Sequence, residues 1–476
     1  MSEPAGLPAP SPARTRLTAL IVACALFMQN LDGTVVATAL PAMAKAFGAD
    51  PLHMNVALTS YLLSLAVFIP VSGWMADRFG TRTVFRAAIA VFTIGSVLCG
   101  QSTSLWGLVL ARILQGVGGA MMVPVGRLVL LRSVAKSELV AAMAWLTVPA
   151  LIGPVVAPPL GGLLVTYANW RWIFDINVPI GILGILLVTR FVEDVREPTP
   201  KRLDIVGLLL LSLALSGLMF GFEMLGRGIL SPLIAGGSVG TGTIALLAYW
   251  MHARHNPNPV LDITLMRIPT FVVSVAGGSL FRVGVGAVPF LLPLMLQLGF
   301  GHSAAESGLI TFAGSLGAIV MKPATQFALR WFGFRTTLVW NGALSAILLG
   351  AYAAFRPDWP LVAIYAVLLM GGFLRSLQFT AYNTIAYADI PRSRMSAATS
   401  LYATIQQVSL TVGITVGAAA LEASTILSHR AEPMTADFSV AFVVVSVVAL
   451  VAAPLSVLLP RDAGAELSGH RIHRVV

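Results

Sequence analysis

Residues 73–82 read Gly73-Trp74-Met75-Ala76-Asp77-Arg78-Phe79-Gly80-Thr81-Arg82. They close one apolar stretch, 56–76, and open another, 83–101. Each stretch has about the 20 residues that a helix rising 1.5 Å per residue needs to cross a bilayer core of about 30 Å. Gly73 permits close helix approach and Gly80 supplies a tight turn. Asp77, Arg78 and Arg82 put both signs of charge at a helix end, where they meet helix dipoles and lipid headgroups. An ordinary basic turn with a chance acid would look similar in isolation. Its setting between two spans reads as a loop joining membrane helices.

The whole chain fits that setting. It has 476 residues, of which 57% are hydrophobic and 11% charged, with a mean hydropathy of +0.86. Soluble domains carry about 25% charge, so this chain cannot clothe a globule of its size in polar surface. A soluble enzyme, a nucleic-acid module and a disordered regulator are excluded, and an all-α polytopic membrane protein remains. The 44 Gly and 28 Pro agree, since both are more frequent in spanning helices. Cys24 and Cys99 lie in apolar runs and imply no disulfide framework. Arg14 and Arg16 precede an apolar run, and Ala37-Thr38-Ala39 mimics a signal-peptidase site. Asp32 interrupts that run and many spans follow, so an uncleaved first helix is expected.

Fourteen spans are expected, near 17–40, 56–76, 83–101, 105–130, 139–166, 172–191, 204–224, 231–250, 270–296, 304–328, 336–355, 359–384, 396–421 and 438–459. With both tails inside, 22 of the 30 basic residues fall in inside loops and tails, Lys322 among them. Five fall outside, and Arg112, Arg282 and Arg375 lie within spans. This is the bias of a cytoplasmic face, and losing one span would destroy it. The net charge of +10 is then a topology signal, not a surface for nucleic acid. An offset of 253 residues aligns Phe79-Gly80 with Phe332-Gly333, Arg82 with Arg335, and Gly118-Gly119 with Gly371-Gly372. The expected organisation is a tail (1–16), six helices (17–191), a linker with two extra helices (192–269; spans 204–224 and 231–250), six more helices (270–459) and a tail (460–476). Parallel halves of this kind are a transporter plan.

At residues 73–82 the chain resembles the major facilitator superfamily, whose loop motif is G-x-L-A-D-R-x-G-R-K. Thr81 departs from it, and the second-half counterpart has Arg330 where Asp77 would align. The resemblance implies a gating role for Gly73, Asp77, Arg78, Gly80 and Arg82. Leu31-Asp32-Gly33-Thr34-Val35-Val36-Ala37-Thr38-Ala39-Leu40-Pro41 resembles the L-D-x-T-V-V-N-x-A-L-P motif of the fourteen-span drug:proton antiporter family (EmrB/QacA type), with Ala37 in place of Asn. Residues 111–120 resemble its R-x-x-Q-G-x-G motif through Arg112, Gln115, Gly116 and Gly118. Residues 153–162 resemble its antiporter run G-P-x-x-G-G, through Gly153, Pro154, Pro158, Gly161 and Gly162. Residues 170–181 resemble W-R-W-I-F-x-I-N-x-P-x-G, with Asp175 at an apolar position. Within the family, 115–128 and 170–181 are most similar to the MdtD/HsrA-like group.

Depth arithmetic ties two of these motifs together. Asp32 lies about 22 Å from the inside start of its helix and Arg112 about 10 Å from the outside start of its own, nearly one level in a slab of about 30 Å. A carboxylate in hydrocarbon is costly unless paired, solvated or protonated, so Asp32 and Arg112 read as a proton-coupling pair. Asp32 as a helix–helix hydrogen bond, with Arg112 snorkelling outward, is the competing account. Gln29 stands one turn before Asp32. Run 153–162 carries a small-residue face, with prolines that bend the helix. It reads as an antiporter element or as a bent packing helix. Asp175 reads as interfacial, or as a group on the proton's entry path. Under the superfamily plan the first and fourth helices of each half line the cavity. Asp32 and all three buried arginines fall on those four helices. Cavity or substrate candidates are Gln29, Asn30, Thr34, Gln115, Phe281, Arg282, Met295 and Arg375. Arg375 lies near the inner end of its span, where snorkelling would serve it. Glu223 and Glu306 read as interfacial.

Gly236-Gly237-Ser238-Val239-Gly240 matches G-x-S-x-G but lies in a span without an elbow or a nearby His. None of the four lysines follows Gly, so no phosphate-binding loop is present. No His or Cys spacing suits a metal. The expectation is a non-enzymatic exporter in a bacterial inner membrane, functional as a monomer. It would drive small amphipathic or drug-like molecules outward by proton antiport, with the proton as coupling ion and no cofactor. Its partners would be substrate and the lipid bilayer, with no nucleic acid. A proton-linked transporter of one metabolite is the alternative. A non-transporting membrane sensor would need a signalling domain that the short inside loops do not hold.

Overall fold

The computed structural model describes residues 12–48, 55–134, 138–196, 202–227, 232–302, 304–430 and 433–470, and among them there is no strand. Each of the fourteen expected segments coincides with helix over most of its described residues. The helices are α1 (Pro12–Phe47), α2 (Asn55–Phe68), α3 (Ser72–Phe79), α4 (Thr81–Gln101), α5 (Leu105–Ser133) and α6 (Leu139–Tyr167), followed by the short α7 (Trp172–Asp175). Next come α8 (Asn177–Phe191), α9 (Ile205–Arg227), α10 (Pro232–His255), α11 (Pro269–Gly286), α12 (Val288–Leu294) and α13 (Ala304–Thr336). The last are α14 (Gly342–Ala351), α15 (Leu361–Ile385), α16 (Met395–Leu427), α17 (Thr435–Leu450), α18 (Ala452–Ser456) and the short α19 (Ala465–Ser468). Eleven stretches among the described residues are long and apolar enough to cross a membrane. One of them, Glu306–Ala354, would be about 74 Å long as a straight helix. It is two passes that turn at Gly333 (φ +69°).

Several spans are composite, for local reasons. Pro70 has no N–H to give the helix ladder, and the second span passes through a 3₁₀ turn, Ile69–Val71, between α2 and α3. Pro289 and Pro293 similarly break the ninth span into α11, α12 and a π turn, Met295–Gly299.

The chain divides into two compact units. The first is Met1–Arg202 with Pro391–Ser400, and the second is Leu203–Ile390 with Leu401–Val476, which takes in α9 and α10. In the first unit α1 runs along α6, α4 along α5, and α2 packs on α5. In the second, α9 pairs with α10 and α13 with α15.

The 253-residue repeat has a physical counterpart in each unit. Gly80 and Gly333 both take positive φ (+91° and +69°), a backbone that disfavours any residue with a Cβ. A Cβ on Gly118 would stand 2.5 Å from the Phe92 nitrogen of α4, and one on Gly371 would stand 2.7 Å from the Tyr352 hydroxyl that follows α14. Gly119 faces Leu65 and Tyr61 of α2, and Gly372 abuts the Gly314 backbone of α13. In both units the paired glycines therefore seat the fourth helix against the third and the second.

Two cations depart from expectation. Lys322 is not in a loop. It lies within α13, 5% exposed, and its Nζ donates to Thr380 Oγ1 of α15 at 2.9 Å. The helix runs on through Pro323, past the expected span end at 328, to the turn at Gly333. Arg375 does not reach toward the inner end of its span. Helical side chains lean toward the N-terminus, which in α15 is the end expected to face outward. Arg375 Nη2 accordingly lies beside Gly314, ten residues into α13.

Candidate functional site

Asp32 of α1 lies at the centre of a polar cluster built from four helices of the first unit. Asp32, Arg112, Gln115, Ser96 and Asn177 are each 0% exposed, so no water shell solvates their charges. Arg112 Nη1 donates to Asp32 Oδ2 at 2.5 Å and to Gln115 Oε1 at 2.7 Å. Gln115 Nε2 donates to Asp32 Oδ1 at 2.9 Å and to Ser96 Oγ at 3.2 Å. Asn177 Nδ2 reaches the same Asp32 oxygen at 3.2 Å and Ser96 Oγ at 2.9 Å. Ser96 Oγ, accepting twice, donates its own hydrogen bond to the Phe174 carbonyl at 3.0 Å. Cys99 Sγ donates weakly to Gln115 Oε1 at 3.7 Å. Arg112 Nε reaches the Ala57 carbonyl of α2 at 3.4 Å, and its guanidinium lies 4.2 Å over the Tyr61 ring.

An ionised carboxylate only accepts, and here all three side chains that meet Asp32 are donors. An unpaired charge in this setting would cost several kcal/mol, and the shared hydrogen bonds offset that cost. Two acceptors or donors remain idle: Asn177 Oδ1 and Arg112 Nη2 are buried with no hydrogen-bond partner among the described residues.

The spacing of the motifs makes the cluster possible. Arg112 and Gln115 share a face of α5 at a separation of three residues. Gly95 on α4 leaves room for the Gln115 backbone, where a Cβ would stand 2.7 Å away. Gly116 does the same for Ser64 of α2 at 2.6 Å. Gly153 of the antiporter run is buried against α1, 3.1 Å from the Leu31 nitrogen by the same measure, one residue before the acid. Farther along α1, Val35, Val36, Ala39 and Met43 join Leu108, Trp170, Ile173 and Phe174 in an apolar plug.

Other expected residues lie elsewhere. Gln29 and Asn30 are half-buried, and Asn30 Nδ2 donates to Leu26 in its own helix at 2.7 Å. Asp175 is half-buried beside Gly100 and forms no bond to the cluster. Glu306 is exposed near the start of α13, its carboxylate 3.7 Å from His302. The side chains of Thr34, Pro154, Pro158 and Glu223, and Gly162, lie outside the described residues. In the loop motif, Asp77 accepts from Arg132 Nη2 at 2.9 Å and from Ser396 Oγ at the start of α16. The arginine it meets is thus Arg132 of α5.

In the second unit Arg282 is 2% exposed. Its Nη2 donates to Tyr402 OH at 2.6 Å and Asn383 Oδ1 at 3.1 Å. Phe281 packs edge-on to Phe379 at 5.6 Å, and Met295 is fully buried. Sequence reasoning singled out neither Ser96, Asn177 nor Cys99. Asn177 stood inside the quoted run 170–181, and that was the available signal.

A multi-pass helical chain with an acid–arginine pair buried between its first and fourth helices, and a glycine-bearing helix closed against the acid, is built as a membrane transporter. Residues 22–414 match the model of the Major Facilitator Superfamily, and the chain belongs to that superfamily. It is 41% identical over 406 residues to the "Putative multidrug resistance protein MdtD" of Escherichia coli O139:H28, covering 85% of this chain and 86% of that one. The MdtD protein of Shigella flexneri matches to the same extent. Among solved structures, the human organic anion transporter MFSD10 superposes with a TM-score of 0.69 at 14% identity, covering 93% of this chain and 99% of that one. The proton:xylose symporter XylE superposes with a TM-score of 0.63 at 14% identity, covering 93% and 95%. At that identity the two structures speak for the fold.

Proposed function

We propose that this protein is a proton-coupled exporter of small, drug-like amphipathic molecules, working by alternating access as a monomer in a bacterial inner membrane with both tails in the cytoplasm. The Asp32–Arg112 pair at 2.5 Å, fully buried, carries this reading. The multidrug-resistance name of its 41%-identical relatives supports the substrate class and direction. The coupling ion is the proton and no cofactor takes part. The reading is of a transporter, not of an enzyme.

The chemistry follows from the donor set. Ionised, Asp32 holds Arg112, Gln115 and Asn177 to α1. Protonated, one of its oxygens becomes a donor that needs an acceptor of its own. Asn177 is suited to answer. Its idle Oδ1 accepts the new O–H if the amide turns over, while Arg112 loses the charge that holds it. Proton binding thereby loosens α5 and α8 from α1, and proton release draws them back.

In proteoliposomes, Asp32→Asn is expected to abolish export driven by an imposed pH gradient while substrate exchange without a gradient persists. Export against a concentration gradient by the mutant would remove Asp32 from the coupling role.

A further inference from the structure

The two units treat their buried arginines differently. Arg112 faces a carboxylate, while Arg282, almost as buried, forms no ion pair among the described residues. Its Nη2 serves only the neutral Asn383 and Tyr402, and its Nε is buried with no hydrogen-bond partner among the described residues. The second cation buried in that unit, Lys322, has the hydroxyl of Thr380 and no ion pair among the described residues. Among the described acids of the unit, Asp437 is taken by Arg430 at 2.9 Å, Asp204 faces His252 at 2.9 Å, Asp389 accepts from Thr270 Oγ1 at 2.8 Å, and Glu306 is exposed. A guanidinium in a membrane interior is expensive unless an anion meets it. Here its planar fork, which suits a carboxylate two bonds at a time, retains unused donors.

The surroundings describe what else an anion meeting this fork would carry. The guanidinium lies 4.9 Å from the centre of the Tyr402 ring and 5.6 Å from that of Phe379. Phe281 stands at 5.6 Å from Phe379 and at 6.3 Å from Tyr382, extending the aromatic cluster. A cationic substrate would meet Arg282 as a like charge, and a neutral one would leave the fork unsatisfied.

We infer that Arg282, with Asn383 and Tyr402, is the binding point for the anionic group of an aromatic carboxylate substrate, whose ring rests on Phe379 and Phe281. This rests on the reading of the chain as a small-molecule exporter and gives its substrate a charge.

The test is equilibrium dialysis of the purified full-length chain in detergent against three matched probes: naphthoate, naphthamide and naphthylmethylammonium. Naphthoate is expected to bind at least about tenfold more tightly than naphthamide, the scale of a charge-assisted hydrogen bond, and the ammonium not to compete. Arg282→Gln is expected to bind naphthoate and naphthamide alike, and Arg282→Lys, which keeps the charge but not the fork, to retain part of the preference. Preference for the ammonium, binding of none of the three, or undiminished selectivity in Arg282→Gln would overturn the inference. Should Arg282→Gln not fold, the order of the three probes on the unaltered chain and on Arg282→Lys decides it. Dialysis involves no gradient, so naphthoate binding without pH-driven export would overturn the proposed function and leave this site standing.

Discussion

At Asp32 one carboxylate organises three donors from two other helices, Arg112 and Gln115 on α5 and Asn177 on α8. The geometry asks for a fork at position 112. A guanidinium reaches Asp32 and Gln115 with one nitrogen and the Ala57 carbonyl with another. An ammonium is a single point charge that cannot span those acceptors. Arg112→Lys is therefore expected to slow pH-driven efflux by about tenfold or more, the loss of one or two charge-assisted bonds. Efflux equal to that of the unaltered chain would show that charge alone suffices. Asp32, Arg112 and Gln115 could be read from the chain because charge and amide are conspicuous in an apolar run. Ser96 and Cys99 could not. A hydroxyl or thiol in a spanning helix is commonplace, and only packing decides whether it faces a carboxylate.

At the scale of the element, glycines set how closely the helices approach. Gly118 leaves the α4 backbone within 2.5 Å of where a Cβ would stand, whereas Gly308 on α13 has nothing within 4 Å. Gly118→Leu is expected to push α5 from α4, lower the melting temperature and disconnect Gln115 from Ser96. Gly308→Leu should leave the melting temperature within a degree or two. Equal melting temperatures for the two variants would mean that the close approach contributes nothing. Apolar length made the helical segments legible, and eleven stretches among the described residues are long and apolar enough to cross a membrane. The breaks inside them were less so. Prolines announce a break but not whether a 3₁₀ turn or a π turn absorbs it, as at Ile69–Val71 and Met295–Gly299. Lys322 was misplaced for a related reason. A charge near the end of an apolar run looks like loop, until α13 continues past it and Thr380 supplies the partner.

For the whole molecule, the sorted cations lead to the expectation that both tails lie on one side of the membrane. A green fluorescent reporter fused after Val476 should fluoresce in intact cells, and an alkaline phosphatase fused there should be inactive. The opposite pair of results would reverse the topology. Hydropathy and charge thus determined by themselves that the chain is a helical, multi-pass membrane protein, because a bilayer leaves the backbone few alternatives and the translocation bias is written in Lys and Arg. They also marked the few charges worth examining. Only the tertiary structure decided which of those charges meet. Asp32 and Arg112 are 80 residues apart and share hydrogen bonds, while Arg282 ends between aromatic rings with no carboxylate among the described residues. That difference comes from which helix faces pack together, and sequence spacing along one helix carries no information about the neighbour it will face.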